Sequence, residues 1–129
     1  GRDPYSSSKA CAELVTAAYR DSFFRPSGDG STAIATARAG NVLGGGDWAD
    51  DRLVPDIVRS LISNEPLVLR YPDSVRPWQH VLDPLAGYLV LAQALWEDPA
   101  ASGPWNFAAD DEVGWTVRRI VERLAHHLG

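Results

Sequence analysis

A single stretch of this chain, Ala33 to Arg38, has the small and β-branched residues of a buried strand. The segments around it read as helices, turns and short extended pieces. One buried strand is too few for a self-sufficient doubly wound sheet. Helices that alternate with short strands nonetheless define an α/β class. The expectation is therefore an α/β chain that forms the carboxyl half of a larger fold. The absence of Met from all 129 residues points the same way, and the length leaves room for one domain.

The helices have recognisable starts. Pro4 is a first-turn proline and Asp3 a candidate N-cap. Cys11, Leu14, Val15, Ala18 and Phe23 then recur at helical spacing, which predicts a helix over 5–24 with Cys11 in the core. Residues 25–30 form a turn cluster, and Gly40 to Asp51 reads as a Gly/Asp loop around Trp48. A second helix is expected over 53–64, with Asp50 and Asp51 as a solvated cap and Val54, Ile57, Val58, Leu61 and Ile62 on one face. Residues 67–70 read as a short strand, 71–77 as a loop and 78–82 as an extended piece. Asp83-Pro84 caps a helix to about Trp96. A turn over 98–103, a strand over 105–108 and a helix over 115–128 complete the chain. The five Trp are expected in the core or at its rim, and His80 as a buried, hydrogen-bonded histidine.

Composition excludes several classes. The net charge is −5 and no basic block is present, so nothing favours nucleic acid as a partner. The longest apolar run, Leu85 to Trp96, is short and broken by Gly87 and Gln93, so no membrane span is expected. Cys11 is the only cysteine, which precludes an internal disulfide and suits a cytoplasmic location. No metal site is expected, because the Asp50-Asp51 pair is better explained as a cap.

Chemistry enters through the basic residues. Of the twelve, eleven are Arg and one is Lys9, four residues after Tyr5. At that spacing near a helix start the two side chains share a face. A phenol is a poor base at neutral pH, but an adjacent ammonium favours its phenolate, and such a group can take a proton from an alcohol. The run from Arg38 to Gly44 follows the buried strand directly, at the end where α/β folds place ligands. Asn41 there can donate to a hydroxyl or phosphate. Arg52, Arg70 and Arg76 lie at element edges and have the forked geometry that suits a diphosphate. Gly44-Gly45-Gly46 lacks the spacing of a dinucleotide loop.

Taken in order, Tyr5-x-x-x-Lys9, Arg38-x-x-Asn41, Arg52-Leu53-Val54-Pro55, Arg76-Pro77-Trp78-Gln79-His80-Val81 and Asn106-Phe107 resemble the extended short-chain dehydrogenase/reductase family, and within it the NAD-dependent sugar-nucleotide dehydratases and epimerases. The resemblance implies the carboxyl-terminal part of an NAD-binding Rossmann-type fold plus a smaller substrate-binding domain. Residues 1–50 would end the Rossmann-type half, and 51–129 would supply the substrate-binding portion, interleaved with it. It implies NAD as cofactor and a nucleotide sugar as substrate. The stretches Gly40 to Trp48, Asp51 to Asp56 and Arg76 to Leu82 favour CDP-glucose, which would be oxidised at C4, lose water across C5 and C6, and be reduced at C6 in deoxysugar synthesis. dTDP-glucose dehydration or sugar epimerisation is the alternative, and a non-catalytic, truncated nucleotide-sugar-binding fragment is the alternative from another class. By resemblance, Tyr5 takes the C4 hydroxyl proton, and Lys9 holds the nicotinamide ribose and favours the phenolate. Ala39 and Gly40 lie near the nicotinamide. Asn41, Arg52, Leu53, Val54, Arg76 and Asn106 hold the sugar and diphosphate, and Leu67, Leu69 and Arg70 border the base. The family pattern further implies a homodimer through the Tyr5 helix. The Gly-rich NAD loop and the acid/base pair for elimination lie upstream in that pattern, so this chain by itself is expected to be inactive. Asn106-Phe107-Ala108-Ala109 also stands where the pattern more often has Asn-Phe-Gly-Pro.

Overall fold

The computed structural model describes residues 2–24, 32–109 and 114–128. The expected turn cluster at 25–30 lies outside the described residues. In chain order the elements are α1 (Pro4–Phe23), β1 (Ala35–Ala39), β2 (Asn41–Leu43), α2 (Leu53–Ser63), β3 (Val75–Arg76), β4 (Trp78–His80), α3 (Leu82–Glu97), β5 (Gly103–Phe107), β6 (Trp115–Thr116) and α4 (Val117–Leu128), with a 3-10 turn at Pro99–Ala101. They gather into two compact units, one from residues 1–39 and 84–107, the other from 40–83 and 108–129.

In the first unit, Asp3 takes the extended N-cap conformation, and its carboxylate accepts from the Ser6 amide at 2.9 Å and from the Ser6 hydroxyl. Pro4 opens α1 behind that cap, as its missing N–H allows. β1 and β5 pair in parallel, with Ala35 opposite Gly103 and Ala39 opposite Phe107. α3 approaches β5 closely at Gly87, and the rings of Tyr88 and Phe107 meet edge to face at 5.2 Å.

The face that α1 turns inward is not the apolar one. Glu13, Thr16, Ala17 and Arg20 are half-buried, whereas Cys11, Leu14, Val15, Ala18 and Phe23 are exposed. The cause is polar pairing across to β1. The Glu13 carboxylate accepts from the Thr36 hydroxyl at 2.8 Å and meets the Arg38 guanidinium at 3.5 Å. Cys11 is thus a surface thiol rather than a core residue. β1 is likewise less buried than expected, because a two-stranded sheet covers little of its faces, and Ala37, Arg38 and Ala39 are exposed.

In the second unit, β2 and β4 pair in parallel, Asn41 opposite Trp78 and Leu43 opposite His80, and Val81 N–H extends the ladder to the Leu43 carbonyl at 2.8 Å. β3 and β6 pair antiparallel, Arg76 opposite Trp115, and the Trp78 indole N–H donates to the Trp115 carbonyl at 3.2 Å. α2 and α4 pack together, and Ile57 and Ile120 supply the buried apolar contacts. α2 ends at Asn64, whose left-handed conformation (φ 53°) lets the following amide of Glu65 return to the Ser60 carbonyl at 3.0 Å.

Several expectations change here. β2 forms inside the stretch expected to be loop, and β3 inside 71–77, because each finds a partner strand that sequence spacing does not reveal. Residues 67–70 form no strand. Leu67 and Leu69 are half-buried and Val68 exposed, so the alternation survives without a ladder. Asp83 lies inside α3, its carboxylate accepting from the His80 amide at 3.2 Å, and α3 begins at Leu82. Arg52, not Asp50 or Asp51, is the N-cap of α2, and no side chain caps it. Trp48, Trp96 and Trp105 are exposed, and so is His80, whose Nδ1 accepts from the Leu82 amide at 3.3 Å.

Candidate functional site

Tyr5 and Lys9 stand one turn apart at the start of α1. The Lys9 ammonium is 5.5 Å from the centre of the Tyr5 ring, and both residues are exposed. The N-cap at Asp3 fixes the backbone that carries them. The Ser6 hydroxyl, and then the Ser6 amide, hold the Asp3 carboxyl below its ordinary 3.8. This arrangement leaves a phenol and an ammonium on one accessible face.

Parallel pairing aligns the motifs that the sequence offered separately. In the first unit Arg38 lies opposite Asn106 and Ala39 opposite Phe107, so both strands present their carboxyl ends together. In the second unit the run from Asn41 to Leu43 lies beside Trp78 to His80. Contact between these runs is close. A Cβ on Gly40 would come within 3.0 Å of the Pro77 carbonyl oxygen, and one on Gly44 within 2.8 Å of Val81 Cγ1. The close approach of Pro77 thus requires that Gly40 carry no side chain. Ala39 ends β1 and is exposed.

Tyr5, Lys9, Ala39 and Asn106 belong to the first unit. Gly40, Asn41, Arg52, Leu53, Val54, Leu67, Leu69, Arg70 and Arg76 belong to the second. Arg52 Nη1 lies 3.5 Å from an Asp47 oxygen, and Arg70 Nη2 lies 3.5 Å from Asp51. Both pairs are exposed and longer than the ~2.7–2.9 Å of a strong charge-assisted bond, so either Arg can exchange its carboxylate for phosphate oxygens. Arg76 is exposed on β3. Leu53 and Val54 open α2 and are half-buried.

One residue of this unit had no mark in the sequence. Arg59, in the second turn of α2, donates from Nη2 to the carbonyls of Trp48 and Ala49, both at 2.9 Å, and from Nη1 to Asp56 at 3.0 Å. Its targets are backbone oxygens ten and eleven residues upstream, which no side-chain pattern announces. Separately, α1, β1 and β5 border a groove of about 250 Å³ beside Glu13, Thr36 and Arg38, and none of the expected site residues lines it. Among the described residues no cluster of His, Cys, Asp and Glu could hold a metal ion. Among them, too, no helix is long and apolar enough to cross a membrane.

Residues 1–106 match the NAD dependent epimerase/dehydratase family. A CDP-glucose 4,6-dehydratase of Salmonella typhimurium is 54% identical over 127 residues, which are 96% of this chain and 35% of that protein. Among solved structures, a dTDP-glucose 4,6-dehydratase from Bacillus anthracis in complex with NAD superposes with a TM-score of 0.74 at 24% identity, covering 99% of this chain and 37% of that one. A UDP-galactose 4-epimerase gives 0.76 at 23%, covering 97% and 38%. At these identities the structural likeness speaks for the fold alone, a Rossmann-type α/β fold. The chain spans about a third of the length of the relatives it matches. With the family pattern running through most of its length, this chain belongs to the NAD dependent epimerase/dehydratase family.

Proposed function

We propose that the chain is the catalytic-tyrosine and substrate-binding part of an NAD-dependent CDP-glucose 4,6-dehydratase, a lyase of deoxysugar synthesis that works in the cytoplasm. What carries the reading is the 54% identity to the Salmonella CDP-glucose 4,6-dehydratase over 96% of this chain. The placement of Tyr5 and Lys9 supports it, since a phenol and an ammonium stand one helical turn apart on an exposed face. Residues 1–50 serve the cofactor half and 51–129 the substrate portion.

The exposed Tyr5 hydroxyl and Lys9 ammonium are donors of the kind that suit the hydroxyls of a dinucleotide ribose. NAD, when bound, accepts and returns the electrons that make C4 a transient ketone. Tyr5 takes the proton from the C4 hydroxyl at its phenolic oxygen. Lys9 would donate to the vicinal ribose hydroxyls, with its charge beside the Tyr5 ring. Ala39 and Gly40 would border the nicotinamide, and Asn41 and Asn106 would donate to the sugar. Arg52 and Arg76 bind the diphosphate, with Leu53 and Val54 packing beneath it. Leu67, Leu69 and Arg70 border the cytosine. The exposed stripe of Cys11, Leu14, Val15 and Ala18 on α1 supports a homodimer through that helix. The Gly-rich NAD loop of the family pattern is absent from these 129 residues, so the isolated chain is inactive and binds NAD weakly.

The test is Tyr5→Phe in a protein of the relatives' full length that carries this sequence. Keto-sugar formation from CDP-glucose should fall by ~10²–10⁴, the typical worth of an acid/base group, while the fold is unchanged. Near-normal turnover by the variant would make the Tyr5–Lys9 pair merely structural.

A further inference from the structure

We propose that Arg59 is a positioning residue, which fixes the loop ahead of α2 so that Arg52 is held ready for the substrate diphosphate. This rests on the assignment of Arg52 to the diphosphate made above. The loop begins with three consecutive glycines, Gly44 to Gly46, and contains two residues with positive φ, Gly46 at 79° and Asp51 at 59°. Glycine loses the most conformational freedom on ordering, so such a segment needs an anchor to hold one shape.

Arg59 is that anchor. Nη2 donates to two successive carbonyls, Trp48 and Ala49, each at 2.9 Å, and lies 3.3 Å from the Asp50 carboxylate. Nη1 is tied back to Asp56 on the same helix at 3.0 Å, which fixes the guanidinium itself. The line continues toward the ligand. The Ala49 amide donates to Asp47 Oδ1 at 3.1 Å, and Asp47 Oδ2 lies 3.5 Å from Arg52 Nη1. Arg59 thus acts on Arg52 through Ala49 and Asp47 and touches no substrate. Lysine can replace it only in part, because a single ammonium cannot span two carbonyls and two carboxylates as the planar fork does. Asp47 holds the Arg52 guanidinium only loosely, so diphosphate oxygens can take its place without loss of a strong pair.

The experiment is a double-mutant cycle on Arg59→Ala and Arg52→Ala in a protein of the relatives' full length. Arg59→Ala should raise KM for CDP-glucose about tenfold and leave kcat within about twofold, the mark of lost binding without lost chemistry. In the Arg52→Ala background the same change should add almost nothing, since the residue through which it acts is gone. Arg59→Lys should fall between wild type and Arg59→Ala. Hydrogen exchange at 48–52 should rise in the variants while the β2–β4 ladder stays protected. If the ladder is lost in Arg59→Ala, Arg59→Lys becomes the deciding variant. An unchanged KM, or an effect of equal size with and without Arg52, overturns the proposal. Calorimetric binding of CDP repeats the cycle without turnover. A wild type that binds CDP but does not convert CDP-glucose therefore counts against the functional reading, while the cycle still decides the role of Arg59.

Discussion

Replacing Gly87 by Ala in the middle of α3 sets two effects against each other. Alanine is the better helix former by ~1 kcal/mol. Its Cβ, however, would lie 2.4 Å from Phe107 Cδ1 and 2.5 Å from Cε1. Carbon atoms rest about 3.5–4.0 Å apart, so two atoms of a rigid ring overlap by roughly 1 Å or more. The ring has little room to swing, because it meets Tyr88 edge to face at 5.2 Å and its backbone is paired with Ala39. Overpacking of this kind costs ~1–3 kcal/mol, and an overlap this deep belongs at the upper end. The clash wins, and the variant should be less stable by about 2 kcal/mol after the helix gain is subtracted. With Phe107→Ala already in place the obstacle is gone, and Gly87→Ala should then stabilise by ~1 kcal/mol. Urea midpoints of the four proteins, at constant slope, give both values. A stabilising Gly87→Ala in the presence of Phe107, or the same effect in both backgrounds, would refute the reasoning.

Two further outcomes follow from single contacts. The folded Asp3 carboxyl titrates below its ordinary 3.8, so its contribution to α1 is present above that value and fades as pH falls through the lower folded one. Asp3→Asn keeps an acceptor for the Ser6 amide without the titration, and circular dichroism of this variant in acid should lose less helix than wild type; equal loss would show that the cap does not matter. Trp78→Phe removes the indole donor to the Trp115 carbonyl and should lower stability by ~0.5–1.5 kcal/mol in urea denaturation. No change would mean that water replaces the indole at no cost.

The parts of the fold that were legible in the sequence are those fixed by local chemistry. Asp3-Pro4 announces the start of α1, and the spacing of Tyr5 and Lys9 places them on one face, as found. The apolar stripe over 53–64 locates α2 and its buried Ile57. What the sequence hid depends on partners far along the chain. Asn41–Leu43 becomes a strand only because Trp78–His80 lies beside it, and Val75–Arg76 only because Trp115–Thr116 does. Leu67–Leu69 has the alternation of a strand and no ladder. Cys11, Leu14 and Val15 look like a core stripe, yet Glu13 turns α1 the other way through Thr36 and Arg38. Arg59 was invisible because backbone carbonyls carry no residue identity.

The proposed substrate is tested most directly by comparing kcat/KM for CDP-glucose and dTDP-glucose in a protein of the relatives' full length. The diphosphate is common to both sugars, so Arg52 and Arg76 in their proposed role do not discriminate, and Arg76→Ala should weaken both about equally. On the proposed reading the base is bordered by Leu67, Leu69 and Arg70, and a polar group of that border left unpaired by thymine would cost ~1–3 kcal/mol. CDP-glucose should be preferred by roughly ten- to hundredfold. Equal use of the two sugars, or a preference for dTDP-glucose, would contradict it.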